Sequence, residues 1–180
     1  METKFAFEDF QMKENIELTI KKIASLVKKD DYETALNCCD ELIADAPQAW
    51  IAYREKADIL ESLKRYNEAL VVRETLIDIG SDEPSDYYDL CRLSLKLGKN
   101  NEAIHWADEC IKLSNIHNNF YYHDASVFYK ANALLNLKRY QEAIDASNTL
   151  ENGYGTYLSG IGMRTKEDIL KEAGYSIKNN

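Results

Sequence analysis

An all-α fold made of stacked helical hairpins is predicted by three observations. The hexapeptide Lys64-Arg65-Tyr66-Asn67-Glu68-Ala69 returns as Lys138-Arg139-Tyr140-Gln141-Glu142-Ala143, with Asp31-Tyr32-Glu33-Thr34-Ala35 and Asn100-Asn101-Glu102-Ala103 as further rungs. The alanines at 35, 69, 103 and 143 are therefore spaced by 34, 34 and 40 residues. A fixed period between about 20 and 50 residues marks an array whose units stack to share one core. Second, only two prolines and seven glycines interrupt 180 residues, which suits long helices. Third, the position seven residues after each alanine holds Leu42, Leu76, Cys110 or Leu150, the apolar stripe that each helix must bury.

The elements follow in order. Residues 1–15 read as an N-terminal arm whose Phe5, Phe7 and Phe10 are expected to cover the first repeat, in cis or across a homodimer. Repeats are expected at 16–49, 50–83, 84–123 and 124–152, each a first helix (A) and a second helix (B). The alanine on each helix B permits close approach, since a methyl group fits the 8–10 Å spacing of packed helices. Pro47 ends the first helix B, and Pro84 opens the third repeat. The 40-residue step places six extra residues near Ile116 to His123, as a longer connection or an added turn on the next helix. Four glycines at 153, 155, 160 and 162 predict a loop over 153–164. Thr165-Lys166-Glu167-Asp168 has the form of a capping box, so residues 165–180 should hold a short terminal helix, with Gly174 as its stop.

The slots of these hairpins resemble those of tetratricopeptide repeat (TPR) proteins. Helix A of the second repeat presents Tyr53, Lys56, Ala57 and Leu60; the third presents Tyr87, Leu90, Cys91 and Ser94; the fourth presents Val127, Lys130, Ala131 and Leu134. The first repeat departs from the pattern at Thr19, Lys22 and Ile23, and Arg73 and Asn100 are departures in the second and third. The resemblance implies a right-handed superhelix of about four helix-turn-helix repeats closed by a capping helix, with helix A lining a concave groove. It also implies a non-enzymatic protein-interaction module. Groove positions are then Arg54, Glu55, Asp58 and Glu61 in the second repeat, Tyr88 and Arg92 in the third, and Phe128, Tyr129 and Asn132 in the fourth. The clamp with which some TPR proteins hold chaperone tails has no counterpart, because its positions carry Ile20, Ala24, Glu55, Ser85 and Asp89.

Charge and motif content narrow the chemistry. Residues 1–90 hold 21 acidic against 11 basic side chains and residues 91–180 hold 10 against 11, so the net charge of -9 arises in the first half. Such a field repels phosphate backbones and disfavours nucleic acid, while suiting a basic or amphipathic protein partner. No apolar run approaches a membrane span and the N-terminus lacks a signal-peptide layout, so a cytoplasmic chain without membrane contact is expected. The glycine cluster matches neither a dinucleotide fingerprint nor a P-loop, the three histidines lack metal-ligand spacing, and no nucleophile sits in an activating motif. No cofactor, metal or catalytic residue is therefore assigned. Three of the four cysteines, Cys39, Cys91 and Cys110, fall on packing positions, and the cysteines read as reduced structural thiols. Two functions remain open on the sequence. One is a groove that binds a peptide or helix of a partner protein; the other is a bacterial immunity protein or antitoxin neutralising a basic toxin, or a secretion chaperone.

Overall fold

The computed structural model describes residues 2–158 and 162–179, with side chains from Gln11 to Ser176 apart from Tyr175 and the three-residue gap. The chain divides into two compact units, Met1–Ser81 and Asp82–Asn180. The first contains α1 (Glu2–Val27), α2 (Tyr32–Asp45), α3 (Trp50–Ser62) and α4 (Tyr66–Asp78). The second contains α5 (Pro84–Lys96), α6 (Asn100–His117), α7 (Phe120–Asn136), α8 (Tyr140–Asn148), a hairpin of β1 (Gly155–Leu158) and β2 (Gly162–Thr165), and α9 (Lys166–Asn179). No helix among the described residues is long and apolar enough to cross a membrane.

Each helical hairpin turns in the same way. Two or three residues past the end of helix A the backbone is left-handed, at Asp30 (φ 59), Lys64 (φ 61), Gly98 (φ 72) and Lys138 (φ 61). The next amide donates back five residues, as Asp31 to Leu26, Arg65 to Leu60, Lys99 to Ser94 and Arg139 to Leu134. This is the Schellman closure, which satisfies carbonyls that a helix end would otherwise orphan. It repeats on the 34, 34, 40 ladder, yet a glycine occupies only one of the four positions.

The alanine rungs are the crossing points. Ala35, Ala69, Ala103 and Ala143 are all fully buried. Beside them, the lysines that replace an apolar residue on helix A form ion pairs: Lys56 binds Asp40 at 2.5 Å and Lys130 binds Asp108 at 2.5 Å. The separations are 16 and 22 residues, and the difference of six is the insertion. The pairs tie helix A to the preceding helix B where the family pattern uses an apolar contact.

Three segments refine the expected layout. Residues 2–15, read as an arm, form the first half of α1; the side chains of Phe5, Phe7 and Phe10 lie outside the described residues. The insertion does not loop out. It lengthens α6 to 18 residues and α7 to 17, with Asn118 as a left-handed cap between them. The glycine-rich stretch read as a loop instead pairs as an antiparallel hairpin, with Gly155 opposite Thr165 and Leu158 opposite Gly162. A Cβ at Gly155 would lie 2.7 Å from the Arg164 carbonyl oxygen, so this glycine permits the strands to close.

The terminal helix begins where the capping box predicts. Asp168 accepts from the Thr165 amide (2.8 Å) and hydroxyl (2.9 Å), and its own amide donates to Thr165 Oγ1 (3.3 Å). Lys166 Nζ donates to the Leu150 carbonyl (2.6 Å) and Glu167 accepts from the Gly153 amide (2.9 Å), joining α9 to the end of α8. The helix continues through Gly174 rather than stopping there.

Candidate partner-binding site

In the first unit, α3 presents Arg54, Glu55, Asp58 and Glu61 on successive turns. Arg54 and Glu55 are half-buried, and burial, followed by the nearby Asp58 charge, raises the Glu55 carboxyl above the ordinary range. Asp58 and Glu61, expected as groove positions, also bind a cation within the unit. Arg73 reaches across from α4, its side chain 2% exposed, donating to Asp58 at 2.5 Å and to Glu61 at 2.9 and 3.1 Å. The residue that departs from the repeat pattern is thus a buried cation, and two of the expected groove carboxylates bind it. The sequence signal was the pairing of an arginine in an apolar slot with carboxylates 12 and 15 residues earlier.

In the second unit, α5 and α7 bring tyrosines together. The Tyr88 ring lies 5.6 Å from Tyr129, nearly perpendicular, and 5.5 Å from Tyr122; Tyr121 stands edge-on to Tyr122 at 5.1 Å. These are the offset and edge-to-face geometries that aromatic quadrupoles favour. Tyr88 and Tyr129 share a side-chain hydrogen bond, and burial is the main cause that raises both phenols. They stay neutral through the physiological range. Tyr129 forms the floor at 5% exposure, Tyr88 and Tyr122 are half-buried, and Tyr121 is 69% exposed. Arg92 on the same helix pairs with Asp89 at 3.2 Å.

Two expected contact residues are not available to a partner. Phe128 is fully buried, its ring 5.7 Å from Tyr154 and in one cluster with Leu158, Ile169 and Ala173. Asn132 is 2% exposed, and its amide donates to the Phe128 carbonyl at 2.8 Å. For Phe128 the cause is the C-terminal hairpin and α9, which pack against it. In their place the insertion contributes Tyr121 and Tyr122, so the added residues and the groove tyrosines form one surface. The run Phe120-Tyr121-Tyr122 was the available sign of this.

The cysteines are all free and buried. Burial pushes Cys39 up to about 12 and Cys91 and Cys110 above their ordinary value, so these thiols are unreactive at neutral pH. Among the described residues no group of three or more His, Cys, Asp or Glu side chains is placed to hold a metal ion.

The sequence pattern of the tetratricopeptide repeat matches residues 21–84. That of anaphase-promoting complex, cyclosome, subunit 3, matches residues 62–149. The chain belongs to the TPR family. A search of curated protein sequences finds no significant match. Among solved structures the TPR chain is similar to YrrB, described as a TPR protein with an unusual peptide-binding site, at 19% identity and TM-score 0.68, covering 94% of this chain and 84% of that one. It is also similar to MamA (12% identity, TM-score 0.65, 75% and 70% covered). A third likeness is to the TPR2B domain of yeast Sti1 in complex with pHsp70 (18%, 0.58, 66% and 94%). At these identities the likeness shows the fold, an all-α array of TPR hairpins.

Proposed function

We propose that this TPR chain binds a peptide of a partner protein through the tyrosine surface of its second unit. The observation that carries the reading is Tyr121, exposed on a packed tyrosine cluster of which Tyr88 and Tyr129 were expected from the repeat pattern alone. Rigid aromatic rings with polar tips bury large area at small entropic cost, which is why they dominate binding hot spots. Arg92 and Asp89, paired at 3.2 Å, supply a polar rim to this apolar surface. YrrB and the Sti1 domain, described as peptide-binding and as a complex, support the class of ligand. In the first unit Arg54 and Glu55 are the half-exposed candidates for a second contact, while Asp58 and Glu61 act through Arg73.

A peptide library selected on the wild-type chain tests this. Peptides recovered should bind the Tyr121→Ala and Tyr88→Ala variants about 2 kcal/mol more weakly, with the helical spectrum retained. Equal binding to both variants would place the contact elsewhere.

A further inference from the structure

We propose that the first unit carries a self-association site, an apolar groove between α1 and α3 that receives the N-terminal segment of a second copy of this chain. The site is independent of the tyrosine surface. A cavity of about 370 Å³ is lined by Ile16 and Ile20 of α1 and Ile51 of α3, with Lys13, Glu17 and Lys21 on its rim. Ile51 is 37% exposed, and Met12 (53%) and Leu18 (59%) expose further apolar surface on α1. An apolar floor with a charged rim suits an amphipathic helix laid along it.

Charge and geometry identify the occupant. The groove's charged residues are Lys13 and Lys21 against Glu17, a net +1 within an acidic half, with Lys21 bound to Glu17 at 2.6 Å. Residues 2–10 carry Glu2, Glu8 and Asp9 against Lys4, a net of -2, and contain three phenylalanines. The segment is therefore the complement of the groove in both charge and polarity. It cannot fill the groove of its own chain, because residues 2–10 belong to the same continuous helix as Ile16 and Ile20. A helix does not fold back onto its own flank. The 26 residues of α1 span about 39 Å and the 14 of α2 about 21 Å at 1.5 Å per residue, so the start of α1 runs on past the end of α2. Two copies related by a two-fold axis would each lay this projecting end into the other's groove, the self-complementary arrangement of a closed dimer.

A charge-swap mixing experiment tests the proposal on the full chain by light scattering and analytical ultracentrifugation. The wild type should have the mass of a dimer at micromolar concentration. One variant, Lys13→Glu with Lys21→Glu, makes groove and segment both acidic; another, Glu8→Lys with Asp9→Lys, makes both basic. Each alone should be monomeric with an unchanged helical spectrum, and an equimolar mixture should recover the dimer mass. Ile51→Glu, at a partly exposed position, should also give a monomer. A monomeric wild type overturns the proposal, and so does a dimer that survives these substitutions or a mixture that fails to restore it.

Discussion

Lys64 and Lys138 each hold a left-handed backbone that a side-chain-bearing residue adopts only at a cost, while Gly98 holds the equivalent conformation freely. Lys64→Gly or Lys138→Gly should therefore raise stability by about 0.5 kcal/mol, since the relieved strain exceeds the added freedom of the unfolded chain. Gly174 presents the opposite case. It lies inside α9 with nothing within 4 Å of a built Cβ, so Gly174→Ala should stabilise by about 0.5–1 kcal/mol. Both are read from denaturant midpoints at constant slope. Ala69 and Ala103 are fully buried at helix crossings, and leucine at either should cost about 1–3 kcal/mol by overpacking. The alanines were legible in the sequence because they recur with the period. The buried state of Phe128 was not, because it depends on a covering segment that carries no repeat signal.

At the level of elements, Arg73 fastens α4 to α3. Arg73→Ala should destabilise by about 3 kcal/mol, because it leaves the Glu61 carboxylate, only 13% exposed, without this guanidinium. Arg73→Lys should recover only part, since a single ammonium cannot reproduce the planar fork. The C-terminal helix should respond to acid. Its bonds to the Thr165 amide and hydroxyl hold Asp168 below the ordinary carboxylate range, and the Gly153 amide does the same for Glu167. The folded state thus binds these protons less readily than the unfolded one. Their contribution is complete above the ordinary carboxylate pKa and is lost as pH falls through the lowered values. Amide exchange in α9 should accelerate on acidification, and Asp168→Asn should flatten that dependence; exchange that is independent of pH after correction for intrinsic rates would contradict the cap. The capping box itself was readable in Thr165 and Asp168. The hairpin before it was not, because four glycines favour a loop as readily as a turn between strands, and only the pairing of Gly155 with Thr165 decides.

At the scale of the molecule, the 34-residue ladder identified the TPR fold, since each unit obeys the same turn and crossing geometry. The candidate site was half legible. Tyr88 and Tyr129 followed from the spacing of helix A, whereas Tyr121 and Tyr122 sit in the insertion, where the period is broken and register cannot be extrapolated. The same break is what gives the second unit its exposed aromatic edge. That edge as the partner-binding surface is the central claim, and site-specific photocross-linking tests it most directly. A benzoylphenylalanine at position 121, and in a separate variant at the exposed Val71 of α4, is illuminated with a peptide selected on the wild-type chain. Cross-linking from position 121 that disappears in a Tyr88→Ala background, with none from position 71, is the result expected. Cross-linking from position 71 with none from position 121 would contradict it.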